Sequence, residues 1–286
     1  MNGLILGITK AILSSLDTIF RKKSLEINKV SANVFMFMGT MGTFFIALIL
    51  LGFGLIDVAN IFTRGFVCLI GINFFGTIAN KIEQKIYKEE KLSVLAPYSN
   101  LDIIIVVITS FFIFSGKQSL VSFSTAIMAA ILIAGSSIDF KNFSVPKGFS
   151  SLICAKFIRA GKSLFVGYML LTLNSIDYFF LNSASYLLLQ FIMIFLISKD
   201  FATIKNSNTP FLKVRIFSVI LGNIGAIMGL FLIKSLGLVI SNLLGFLSLA
   251  VTLVFSYFFF KDIPTKKNIF VTFLVCALVG VGIYFK

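Results

Sequence analysis

Long apolar runs alternate along this chain with short breaks rich in lysine, asparagine, serine and glycine. The runs occupy 3–20, 32–54, 62–82, 92–114, 120–138, 149–172, 176–198, 211–233, 236–260 and 268–285. A hydrocarbon layer about 30 Å thick is crossed by roughly 20 helical residues, so each run is about one span long. Barrel strands take only about 9–11 residues, and a helix satisfies its own backbone where no water can reach. The pattern predicts an all-α membrane protein of about ten transmembrane helices. The first run has no basic leader before it and no small-residue cleavage pattern after it. It holds Lys10 and Asp17 and is followed by Arg21-Lys22-Lys23, so it is expected to remain as a helix rather than to be removed as a signal peptide.

Composition supports this reading. With 58% hydrophobic and 13% charged residues, a soluble exterior could not be wetted. The net charge of +14 sits mostly in short clusters between apolar runs, where anionic lipid headgroups attract it. A nucleic-acid partner is therefore not expected. Histidine is absent, which removes the commonest general base, proton shuttle and metal ligand. Cys68, Cys154 and Cys276 all lie inside apolar runs and show neither metal-ligand spacing nor a disulfide framework.

A shift of 146 residues brings Lys10 onto Lys156, Gly76 onto Gly222, Leu92 onto Leu238, Phe114 onto Phe260 and Ser119 onto Thr265. Five spans lie on each side of the Asp139–Gly148 linker, which contains Pro146. Five is odd, so a second half of the same topology crosses the membrane in the opposite sense. The expectation is two inverted five-helix repeats, 1–143 and 144–286, forming one membrane domain. The alternative is that any two sets of apolar helices align through composition alone. Loop charge sets an orientation. The connections after the first, third, fifth, seventh and ninth spans, with the span ends beside them, carry fifteen lysines and arginines, against Arg64, Lys117, Lys234 and Lys286 on the opposite side. By the positive-inside rule both termini then face outward from the cell membrane.

Two stretches carry a family resemblance. KLSVLAPYSNLDIIIVVITSFFIFSGKQSLVSFSTAIMAAILIAGSSI (91–138) and GLVISNLLGFLSLAVTLVFSYFFFKDIPTKKNIFVTFLVCALVGVGIYF (237–285) each resemble the last two helices of an EamA-like repeat of the drug/metabolite transporter superfamily. In that family a helix ends in an aromatic or leucine run, a short hydrophilic turn follows, and a small-residue-rich helix closes the unit. Where the family often has Leu-Gly-Glu at the turn, this chain has Phe260-Lys261-Asp262 in the second half and Ser115-Gly116-Lys117 in the first. The resemblance implies a ten-helix transporter with a central cavity lined by helices 1, 3, 4, 6, 8 and 9. It also implies cytoplasmic termini, opposite to the loop charges.

Charges within a span cost a few kcal/mol each (~2.5–3.5 on insertion scales) and so call for a function or a partner. Lys10, Ser14 and Asp17 fall within about 60° on the first span, and Lys156, Arg159 and Lys162 cover about 120° of the sixth. Asp102 lies one turn beyond Tyr98 in the fourth. Asn223 and Asn242 are amides inside the eighth and ninth. The expected substrate-binding residues are Lys10, Asp17, Tyr98, Asp102, Lys156, Arg159, Lys162, Asn223 and Asn242, around a pocket of positive potential suited to carboxylate or phosphate. The alternative has Lys156 and Arg159 snorkelling to the surface and Asp102 in a structural ion pair. Tyr186 and Gln190 are expected to be packing groups.

No P-loop, GxGxxG after a strand, HExxH or nucleophile elbow is present. The expectation is a non-enzymatic secondary transporter or exporter of a small polar metabolite, anionic or zwitterionic, working by alternating access without a cofactor or metal. Its expected partners are the bilayer and a small-molecule substrate, with a homodimer left open. Two alternatives stand beside it: a membrane-embedded enzyme or flippase acting on a phosphate-bearing lipid, and a non-transporting scaffold.

Overall fold

Good helix formers carry the first helix, α1 (Asn2–Ile27), through Arg21-Lys22-Lys23, past the predicted end at residue 20. The computed structural model describes residues 2–27, 30–57, 64–89, 101–113, 120–137, 149–198 and 208–285. Among these, all regular secondary structure is helical. α2 (Ala32–Gly52) begins at Ser31, whose hydroxyl accepts from the Val34 N–H. α3 (Arg64–Glu89) also outruns its predicted end, at residue 82. Its last two turns keep Ile82 and Ile86 at i, i+4 spacing, and these pack with Tyr87, Leu101 and Leu152.

α4 (Leu101–Ile113), α5 (Leu120–Ser137) and α6 (Phe149–Met169) follow. α7 (Ser175–Ile192) is capped by Asn174, whose side-chain oxygen accepts from the N–H groups of Ile176 and Asp177. The helix continues with a π-type turn over Met193–Ser198. α8 (Thr209–Leu236) starts with Asn208 as cap and Pro210 in its first turn, where the missing N–H does no harm. Its 28 residues make it about 42 Å long. It ends at Gly237, whose φ of 84° suits glycine.

The predicted ninth span is broken in two. α9 (Leu238–Gly245) and α10 (Leu247–Phe260) meet at Phe246, where i→i+3 bonds from Phe246 N to Leu243 O and from Leu249 N to Phe246 O tighten the chain. The glycine there has a packing reason: a Cβ on Gly245 would stand 2.9 Å from Ile103 Cδ1 of α4. α11 (Lys266–Tyr284), capped by Thr265, closes the chain.

Among the described residues, six stretches are long and apolar enough to cross a membrane: Gly3–Ile27, Ala32–Gly52, Phe66–Tyr87, Ser175–Phe195, Thr209–Leu236 and Leu238–Phe260. Large apolar side chains such as Phe45, Val67, Leu171, Phe258 and Phe273 point outward, as expected of a multi-pass bundle whose solvent is lipid. α1 packs on α8, α9 and α10; α6 packs on α3 and α4; α2 packs on α7 and α8; α3 packs on α7; and α5 packs on α11. The largest buried apolar clusters lie on the two flanks. One joins Val107, Ala126, Leu243, Phe246 and Val275, the other Leu69, Val166, Tyr178, Leu181 and Leu230. Between them the interior turns polar.

Candidate functional site: a charged cavity inside the bundle

A cavity of about 440 Å³ lies among α1, α2, α3, α4, α6, α7 and α8. Of the expected residues, Asp17, Asp102, Arg159, Lys162 and Asn223 line it. Lys10 does not: it stands two turns from Asp17 along α1, with its Nζ 3.4 Å from where a Cβ on Gly229 would lie. Asn242 is also off the cavity, its amide donating to Leu238 O of its own helix at 2.7 Å. Lys156 lies behind the wall rather than at the surface, because an acidic partner holds it in the interior. Tyr98 lies outside the described residues. The ninth span, which the resemblance assigned to the lining, supplies no lining residue, whereas α2 and α7 do.

The partner of Lys156 is Glu83, a residue the sequence pattern placed in a loop. Glu83 is buried on α3 and takes Lys156 Nζ at 2.8 Å on one oxygen and the guanidinium of Arg159 on the other. Arg159 Nη2 also donates to Asn80 Oδ1 at 2.7 Å, and Asp102 Oδ1 lies 4.0 Å from Lys156 Nζ. Glu83 is the hub of this desolvated set, and removing it leaves buried cations unmet. The spacing of Ile82 and Ile86 is the signal that extends α3 through Glu83.

Lys162 points another way. Its Nζ donates to the Tyr186 hydroxyl at 2.9 Å and lies 4.1 Å from that ring's centroid, so Tyr186 is a cavity residue and not packing alone. Gly76 makes this possible, since a Cβ there would overlap the Tyr186 hydroxyl. Gln190, also in the lining, donates to Thr77 Oγ1 at 3.2 Å.

Across the cavity, Asp17 accepts from Arg21 Nη2 at 2.7 Å and from the Ser218 hydroxyl at 2.5 Å. Arg215, absent from the sequence reading, donates through Nη1 to Ser218 Oγ at 3.2 Å and through Nη2 to Phe35 O at 3.3 Å. Its Cζ lies 3.9 Å from the centroid of the Phe35 ring, and Gly39 leaves the space its guanidinium fills. Asn223 donates to Thr43 Oγ1 at 3.1 Å and Val219 O at 2.6 Å. Arg21 Nε, Gln84 Oε1, Arg159 Nε, Gln190 Oε1 and Arg215 Nε have no hydrogen-bond partner among the described residues. The walls of the cavity are thus largely polar and charged.

A second hollow, of about 500 Å³, runs between α10 and α11. It is lined by apolar groups such as Leu253, Val254, Phe258 and Ile269 and shares no lining residue with the charged cavity. Among the described residues no cluster of three or more histidine, cysteine or acidic side chains could hold a metal ion.

No protein-family model and no curated protein matches the chain. A protein known from its crystal structure superposes on it with a TM-score of 0.67 at 14% sequence identity, over 98% of this chain and 96% of that one. At that identity the likeness speaks for the fold alone.

Proposed function

We propose that this chain is a secondary transporter or exporter of a small polar metabolite in the cell membrane, working by alternating access. The observation that carries the reading is the charged cavity enclosed by helices whose outer faces are apolar. Burying this many ionised groups is costly, and a packing scaffold gains nothing from leaving them around a hollow. Ten spans and the EamA-like stretches fit the drug/metabolite transporter superfamily.

Two five-helix halves, 1–143 and 144–286, give the mechanism. The helix pairings support an inverted repeat, because exchanging halves turns one pairing into another. α1 on α8 corresponds to α6 on α3; α1 on α9 and α10 corresponds to α6 on α4; α2 on α8 corresponds to α7 on α3. The pairs α2–α7 and α5–α11 correspond to themselves. Rocking of such halves about a shared central pocket exposes it to each side in turn. A lipid-linked substrate fits less well, since the apolar hollow beside α11 shares no wall with the charged one.

The test is uptake and counterflow in proteoliposomes loaded with a defined metabolite mixture and read by mass spectrometry. Solute flux is expected from the wild type. Arg159→Ala is expected to abolish it while leaving a folded, monodisperse protein, because Lys156 still neutralises Glu83. Full flux in that variant removes Arg159 from the site, and no flux of any solute by the wild type refutes the reading.

A further inference from the structure

Among the described residues the charges around the cavity do not balance, and the imbalance is split between two groups. Where α1 meets α8, one carboxylate serves two cations. Asp17 is held by Arg21 at 2.7 Å and reaches Arg215 only through Ser218, whose hydroxyl accepts from Arg215 and donates to Asp17. Where α3, α4, α6 and α7 meet, two carboxylates serve three cations. Glu83 and Asp102 face Lys156 and Arg159, Lys10 of α1 also lies in the field of Asp102, and Lys162 is left with the neutral hydroxyl of Tyr186.

Among the described residues neither Arg215 nor Lys162 has a carboxylate within 4.0 Å. Arg215 is only 7% exposed, and its Nε has no partner among those residues. Both side chains line the same cavity. Among the described residues, excess positive charge therefore stands in each group, on different helices. A monoanion can meet one of them and leaves the other desolvated and unmatched.

We propose that the cavity binds a solute with two negative charges, one set against Arg215 and the other against Lys162. This rests on the reading of the chain as a small-molecule carrier and narrows its substrate class. A small dicarboxylate and a doubly ionised phosphate share the chemistry.

Calorimetry on the purified full-length protein in detergent, at fixed ionic strength, separates these sources and tests the idea. The probes are succinate, monomethyl succinate and inorganic phosphate in its doubly ionised form. Succinate or phosphate is expected to bind, with monomethyl succinate at least about 30-fold weaker, the cost of leaving one buried charge without its partner. Tighter succinate supports two separated carboxylates, and tighter phosphate a single phosphoryl group between the cations. Arg215→Gln and Lys162→Gln are each expected to erase the preference over the monoester. If either variant fails to fold, the wild-type comparison decides alone.

Equal binding of succinate and its monoester with no tighter phosphate overturns the proposal. So does binding of neither dianion, or the preference surviving in both variants. Arg159-dependent flux of a neutral or cationic solute would overturn the dianion while sparing the transporter. Dianion binding without flux of any solute would do the reverse.

Discussion

Glu83 Oε1 and Lys156 Nζ meet at 2.8 Å with both side chains 3% exposed, joining α3 to α6 behind the cavity wall. Arg159 shares the same carboxylate. This one acidic group bridges two cations that would otherwise face each other in an apolar bundle. Glu83→Gln is expected to cost about 3–5 kcal/mol, since breaking a buried pair strands its partners. Thermal unfolding in detergent should show a large drop in midpoint. Pairing it with Lys156→Met removes one stranded cation and should recover part of the loss. An unchanged midpoint in Glu83→Gln would mean the pair holds nothing together.

Two glycines of the cavity wall let polar groups in, and their substitutions should differ. A Cβ on Gly39 meets the end of a flexible side chain, the Arg215 guanidinium, which can swing away. Gly39→Ala is expected to weaken solute binding about 10-fold, or about 1.4 kcal/mol, with little change in stability. A Cβ on Gly76 meets the hydroxyl of Tyr186, carried on a rigid ring. Gly76→Ala is expected to cost about 1–3 kcal/mol of stability as well as binding. Gly282, whose Cβ would stand 2.5 Å from Thr125 Oγ1 between α11 and α5, is the control. Gly282→Ala should destabilise and leave binding per folded molecule unchanged. Binding calorimetry beside thermal unfolding checks all three.

Six of the spans were legible because a membrane helix must be apolar for roughly 20 residues, and that requirement shows without any knowledge of contacts. The ends were not. α1 and α3 continue as helices through charged residues that read as loop, and Glu83 was lost with the end of α3. Arg215 lies near the start of an apolar run beside Lys213, and no local pattern separates a buried guanidinium from a headgroup-facing lysine. Its burial comes from Gly39, Phe35 and Ser218, all supplied by folding. Lys10 shows the reverse error. It shares a helical face with Asp17, but seven residues are about 10 Å along the axis, enough to take it off the cavity. Periodicity reports which face a residue is on, and depth within the bundle depends on what packs opposite.

If the cavity is wet and positive, it should select reagents by charge before any substrate is known. Ser163 lines it on α6, one residue beyond Lys162. Cys68, Cys154 and Cys276 are exposed or half-buried, and each would be replaced by alanine to clear the background. A cysteine introduced as Ser163→Cys is then expected to react with the anionic sulfonatoethyl methanethiosulfonate at least about 10-fold faster than with its trimethylammonium counterpart, because a basic cleft concentrates anions. The bias should shrink with added salt, as screening weakens the field. Phe273→Cys, on the outward apolar face of α11, should react with neither reagent when the protein is in liposomes, since lipid excludes both. A faster cationic reagent at Ser163→Cys would mean the carboxylates dominate the potential. Silence there equal to that of Phe273→Cys would mean that water does not reach the cavity, and a dry cavity cannot pass a polar solute.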